Sequence, residues 1–233
     1  MSDADNVADI LEELSRTGDA ARLEGMARYG INTSRAFGNS MPAIRSLAKT
    51  IGKDHTLALA LWRTEIHDAR LLCAFVDDAS AVRPDQMDTW AGDFNSWDLT
   101  DQVCNNLFSR TPYAAEKIMA WSAREEEFVR RAAFALIASL AVHSRTLGDE
   151  QFVGWMSLIT AAADDERNFV KKAVNWALRQ IGKRSLALRE SALTAAEELT
   201  QRESTSARWI GRDALRELHR PDIIERLQKK STQ

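Results

Sequence analysis

One stretch of this 233-residue chain returns in altered form further along, and that return narrows the fold more than any other feature. Glu127-Phe128-Val129-Arg130-Arg131-Ala132 comes back 41 positions later as Asn168-Phe169-Val170-Lys171-Lys172-Ala173. In both copies acidic residues stand upstream of an aromatic residue, a valine and a basic pair. A period of that length belongs to helix-pair arrays, in which one pair cannot bury its apolar face alone and stacks on the next. Equivalent helices of such an array lie side by side and line one concave surface.

The rest of the chain carries the matching periodicity. Val7, Ile10, Leu11 and Leu14 follow the i, i+3, i+4, i+7 spacing of one helix face, and Leu57, Leu61, Leu71, Leu72, Phe75 and Val76 extend it over a pair. Segment 125–143 places Phe128, Ala132, Ala135, Leu136, Ser139, Leu140 and His143 around much of its circumference, which predicts a buried helix. Pro42, Pro84, Pro112 and Pro221 each precede an amphipathic run, at the first-turn position where a missing N–H costs least. Gly30, Gly52, Gly148 and Gly182 follow helical runs and read as C-terminal caps. No period-2 run bounded by turn residues occurs, so no sheet is expected. The expectation is an all-α array of roughly a dozen helices, with residues 1–233 forming one domain that no Pro/Gly/Ser-rich linker divides.

Hydrophobic residues make up 45% and charged residues 28%, the balance of a folded domain. The N-terminus has no basic segment followed by an apolar run, and no apolar stretch approaches the ~20 residues that cross a bilayer. A cytoplasmic chain with no membrane partner is expected, and nothing in the pattern suggests an obligate dimer, so a monomer. Cys73 and Cys104 sit in apolar helical patterns and read as two reduced core thiols. His55, His67, His143 and His219 are scattered singly and read as caps or core-edge residues. With no phosphate-binding glycine loop and no metal-spaced His/Cys cluster, neither a metal nor a cofactor is expected.

Charge is uneven. The formal net charge is −3, yet residues 1–120 hold 12 Lys and Arg against 18 Asp and Glu, whereas residues 121–233 hold 19 against 16. A C-terminal half of opposite sign points to an anionic partner there. Lys172, Trp176, Arg179 and Lys183 are spaced 4, 3 and 4 along one helix, a basic stripe with an aromatic residue at its centre. Such a stripe suits a phosphate backbone with a sugar or stacking contact, and equally an ordinary solvated face with a semi-buried Trp. Arg131, the repeat equivalent of Lys172, would then line the same face. Arg208, Arg212 and Arg216 form a further basic row, beside which Asp213 and Glu217 offer self-pairing within the helix. Trp97 and Asp101 share a helix face in Ser96-Trp97-Asp98-Leu99-Thr100-Asp101, with Ser96 placed to cap it. Those two residues alone leave open a core anchor beside a solvated charge.

Taken together, four segments resemble the AlkD-type DNA alkylation-repair glycosylases, a HEAT-like-repeat family, over essentially the whole chain. They are Ala60-Leu61-Trp62, Ser96-Trp97-Asp98-Leu99-Thr100-Asp101, Phe128-Val129-Arg130-Arg131-Ala132-Ala133 and Lys171-Lys172-Ala173-Val174-Asn175-Trp176-Ala177-Leu178-Arg179. The resemblance implies a HEAT-like helical-repeat solenoid with a concave DNA-binding face. It implies Trp97 and Trp176 as aromatic walls of a catalytic cleft, Asp101 as the carboxylate and Arg131 as the phosphate contact, with Arg130 the rival for that last role. Lys172, Arg179, Lys183 and Arg212 would complete the DNA contacts. The activity implied is hydrolysis of the N-glycosidic bond of cationic N3- or N7-alkylated purines in double-stranded DNA, without base flipping. Two other functions stay open at this point: a non-catalytic DNA-binding protein for bent, branched or damaged DNA, and a helical-repeat scaffold for protein partners.

Overall fold

The computed structural model describes residues 3–231. Fourteen α-helices and one short 3-10 turn, with no strand, make up these described residues. They gather into two compact units that divide after Ala114. Helices start where a side chain can serve the orphan amides of the first turn: Asp19, Ser40, Asp54, Ser185 and Ser204 each accept an N–H two or three residues on.

The first unit contains α1 (Asp3–Thr17), α2 (Ala20–Arg28), α3 (Met41–Ile51), α4 (His55–Trp62), α5 (His67–Val76), α6 (Pro84–Gly92), α7 (Trp97–Asn106) and the 3-10 turn Phe108–Arg110. Helix α5 lies between α3 and α7 and also meets α1 and α4. It is therefore buried almost all round, including its polar His67, Asp68 and Arg70. Asp68 meets that burial by accepting the amides of Phe37 and Asn39, both at 2.7 Å. Gly38, between those two amides, has φ +83, and a Cβ there would stand 2.4 Å from the Asp19 carbonyl oxygen. Beside α5, the indoles of Trp62 and Trp90 stack in parallel with centroids 3.9 Å apart, and the Arg70 guanidinium lies 4.9 Å from the Trp62 ring. Asp93 accepts from Trp62 Nε1 at 2.8 Å and from Arg70 at 3.3 Å.

The second unit contains α8 (Ala114–Trp121) apart from its first residue, α9 (Glu127–His143), α10 (Asp149–Ala162), α11 (Asn168–Gly182), α12 (Leu186–Thr200), α13 (Thr205–Leu218) and α14 (Pro221–Ser231). It is a two-layer stack. Helices α9, α11 and α13 pack in succession as one layer, and α10, α12 and α14 as the other. The repeated segments open α9 and α11, where Phe128 and Phe169 meet with ring centroids 5.6 Å apart. Helix α9 is buried from Val129 to Ala141 except at Arg130, and five of those buried residues are alanines that let neighbouring helices approach closely.

Several expectations need correction. Among the described residues the α-helices number fourteen rather than a dozen. Pro42, Pro84 and Pro221 open helices, but Pro112 lies in the turn before α8. Gly30 and Gly52, with φ +75 and +81, end helices as expected. Gly148 is instead the N-cap of α10. Gly182 is the last residue of α11, where a Cβ would lie 2.7 Å from Leu218, so the small residue answers a packing demand. Both cysteines are free and buried, as expected.

Candidate functional site

Helix α7 carries the first two candidate residues. Leu99, Thr100, Val103 and Cys104 point into the unit, which turns Trp97 and Asp101 to the partly exposed side one turn apart. Ser96 holds the N-cap position, but contrary to expectation its hydroxyl makes no cap bond. Its carbonyl accepts the Thr100 amide at 3.2 Å and the Thr100 hydroxyl at 2.8 Å. Trp97 is anchored by its indole: Nε1 donates to the Tyr29 carbonyl oxygen at 3.0 Å. Tyr29 caps α2, a helix with no buried residue, and its own side chain is 75% exposed.

Asp98, beside Trp97, is mostly buried, with Oδ2 2.9 Å from Nε2 of the buried His67. Burial pushes the Asp98 carboxyl up, but the hydrogen bond and charge of His67, with the Leu99 amide, outweigh it and hold the group below the ordinary carboxylate range. An ionised Asp98 only accepts, so Nε2 carries the proton. Neither Tyr29 nor the His67–Asp98 pair stands out in the sequence. The only signal is an aromatic residue before Gly30 in one case and an isolated histidine opening an apolar run in the other.

The remaining candidates belong to the second unit. Arg131 and Lys172, equivalent in the repeat, are not equivalent in exposure. Arg131 is 5% exposed, with Nη1 donating to the Phe169 carbonyl at 2.6 Å, whereas Lys172 is exposed on α11. Arg130 is partly exposed and pairs with Asp165 at 3.1 Å. Burial raises Asp165, yet the bonds and charge of Arg167, with Arg130 beside it, leave it below its ordinary value. Trp176 follows Lys172 by one turn and is partly exposed.

Below it the stripe is engaged within the fold. Arg179 and Lys183 both donate to Glu217 of α13, Lys183 at 2.5 Å, and Arg179 also lies 3.6 Å from Asp213. Burial raises Glu217, but its bonds to the two cations win and lower it. Within the second basic row, Arg208 donates to the Arg202 and Glu203 carbonyls, Arg216 pairs with Asp213, and Arg212 is exposed. The structure thus brings Trp97 together with Asp101 on α7, and Arg131, Lys172 and Trp176 onto the adjacent helices α9 and α11. Among the described residues no cluster of His, Cys, Asp and Glu is arranged to hold a metal ion. No helix of the described residues is long and apolar enough to cross a membrane.

Residues 10–218 match the model of the family described as DNA alkylation repair enzyme. The chain belongs to that family. One solved structure shares the fold with a TM-score of 0.75 and 19% identity, over 90% of this chain and 94% of its own. It is described as "a new family of proteins related to the HEAT-like repeat DNA glycosylases with affinity for branched DNA structures". The HEAT-like repeat architecture is thereby shared between this family member and that neighbour. No curated protein sequence matches the chain.

Proposed function

We propose that the chain is a monofunctional alkylpurine DNA glycosylase that acts on double-stranded DNA. The observation that carries this reading is the pairing on α7, where an indole anchored through its N–H stands one turn from a partly exposed carboxylate. Membership of the DNA alkylation repair enzyme family supplies the context.

The chemistry suits one carboxylate. A purine alkylated at N3 or N7 already carries positive charge, so the electron pair of the breaking C1′–N bond neutralises it and it leaves without a general acid. The two-carboxylate arrangement of ordinary glycoside hydrolysis is then unnecessary. Positive charge develops on the deoxyribose as an oxocarbenium ion. Asp101 stabilises that ion, orients the attacking water and takes its proton as the oxygen bonds to C1′. The indole face of Trp97 attracts a cationic nucleotide, a contribution of about 1–2 kcal/mol where water is excluded, and Trp176 offers the second unit the same kind of face. Lys172 and Arg212, both exposed, serve backbone phosphates. The phosphate role of Arg131 requires its guanidinium to leave or share the Phe169 carbonyl, and those of Arg179 and Lys183 require the same at Glu217.

Free base released from duplex DNA containing N7-methylguanine tests the reading. Folded protein that releases none above background rejects it. The second reading, a non-catalytic binder of branched DNA, takes support from the affinity described for the structural neighbour. Junction binding with no base release would select it.

A further inference from the structure

A second basic region lies in the second unit, beyond the far end of α11. From Lys172 to Gly182 that helix advances roughly 15 Å, so this region is a patch apart from the exposed lysine. It is an open groove of about 890 Å³ between the end of α9, the start of α12 and the end of α14. Arg145, Arg184 and Lys230 line it with His143, against one carboxylate, Asp149.

The groove is built around Arg184. Its Nη1 donates to the carbonyls of Ala141 at 3.1 Å and Ser144 at 2.9 Å, and Nη2 to that of Leu147 at 2.8 Å. Its guanidinium lies 4.5 Å from the Phe152 ring centroid. These bonds pin the turn that carries Arg145. Asp149 accepts the Ser185 hydroxyl at 2.5 Å and lies 3.6 Å from Arg184 Nε, with its carboxylate still partly exposed. From the end of α14, Lys230 donates to the Arg184 carbonyl at 3.0 Å and remains exposed. Exposed Arg145 and Lys230, with Arg184 beneath them, thus outnumber the one carboxylate of the lining. A trough lined by Arg145, Arg184 and Lys230 against one carboxylate, far larger than one phosphate needs, complements a chain of phosphates.

The geometry points to this groove as a second nucleic-acid surface, taking the phosphodiester backbone of a DNA segment other than the one served by Lys172, as in an arm of a branched molecule. It rests on the DNA-binding part of the function proposed above and is independent of base release.

The test is fluorescence anisotropy of the full chain with two unmodified DNAs, a three-way junction and a linear duplex, across 50–200 mM salt. R145E/K230E is expected to weaken junction binding tenfold or more and to lower the salt slope by about two, with a smaller loss on the duplex. R145K/K230R, which keeps the charge, is expected to bind as the unaltered protein does. Should the double reversal not fold, R145Q and K230Q carry the test singly, each with about half the change in slope. Unchanged junction binding and slope would overturn the proposal. So would an equal loss on both DNAs, an equal loss in R145K/K230R, or dependence on these residues of binding to poly-glutamate but not to DNA. K172E separates the two readings: if it lowers DNA affinity while the groove variants do not, only the groove proposal fails. If neither alters DNA binding, the DNA-binding reading fails with it.

Discussion

The Trp97 indole donates to the backbone carbonyl of Tyr29, a hydrogen bond that spans 68 positions and ties the end of α2 to the first residue of α7. Phenylalanine at 97 keeps an aromatic face but has no N–H to offer. Trp97→Phe is expected to cost about 0.5–1.5 kcal/mol of stability, the net value of one such bond. Base release is expected to fall on the order of tenfold, because the ring loses its orientation and part of its attraction for a cation. Thermal melting alongside single-turnover base release separates the two effects. Release unchanged in a folded variant would remove Trp97 from the proposed chemistry.

Asp98 is held against His67, and Asp101 stands one turn from Trp97 on the partly exposed side of α7. Asp101→Asn preserves size and removes the charge. It is expected to lower the rate of base release roughly 100-fold to 10,000-fold, the usual worth of a positioned acid–base group, with DNA affinity retained. Rate and affinity are read on the same alkylated duplex. Undiminished release would place the chemistry elsewhere.

Lys172 and Lys183 stand on the same stripe in unlike environments: the first is exposed and the second donates to Glu217. K172E is expected to weaken DNA binding and lower the salt slope by about one, with little change in melting. E217Q removes the charge that Arg179 and Lys183 share. It is expected to cost about 1–3 kcal/mol of stability and to strengthen DNA binding by freeing Lys183 and loosening Arg179, which keeps Asp213 at 3.6 Å. An E217Q protein whose DNA affinity falls or stays level would show that Arg179 and Lys183 serve the fold alone.

That contrast also marks how far the sequence reaches. Spacing placed Lys172, Trp176, Arg179 and Lys183 on one helix, and α11 carries all but the last, which is its C-cap. Spacing along one helix says nothing of the neighbour, so the neutralising Glu217, 38 positions from Arg179, was invisible. The echo of Phe128 in Phe169 was legible because both positions serve the same contact between successive helices. The basic residues beside them diverged, since Arg131 reaches the carbonyl of Phe169 while Lys172 remains exposed. Gly148 was misread because glycine suits either end of a helix and the preceding run decides nothing about the next one. In the first unit the cross-links Trp62–Asp93 and His67–Asp98 both span 31 positions, a shorter step than the 41 of the visible echo, and no shared residue pattern advertises it.

Three partly buried carboxylates contribute to the acid limit of the fold. Asp98, Asp165 and Glu217 are each held below their ordinary values in the native chain, by His67, by Arg167 and Arg130, and by Lys183 and Arg179. A group whose pKa is depressed on folding stabilises the native state above its unfolded pKa and loses that contribution as pH falls through the folded value. Asp77 works the other way: its burial outweighs its bonds to His55 and Gln86 and raises it, so its protonation relieves the native state as acid is added. With the exposed Asp78, Glu126 and Asp222 also held low by their neighbours, six against one predicts a net loss of stability below about pH 4, where unfolded carboxylates begin to hold their protons. Melting temperature followed from pH 7 to pH 3 checks this. Asp98→Asn is expected to melt lower than the unaltered chain at pH 7 and to approach it in acid, because it lacks one of those contributions. A gap between the two proteins that stays constant with pH would detach Asp98 from the acid transition.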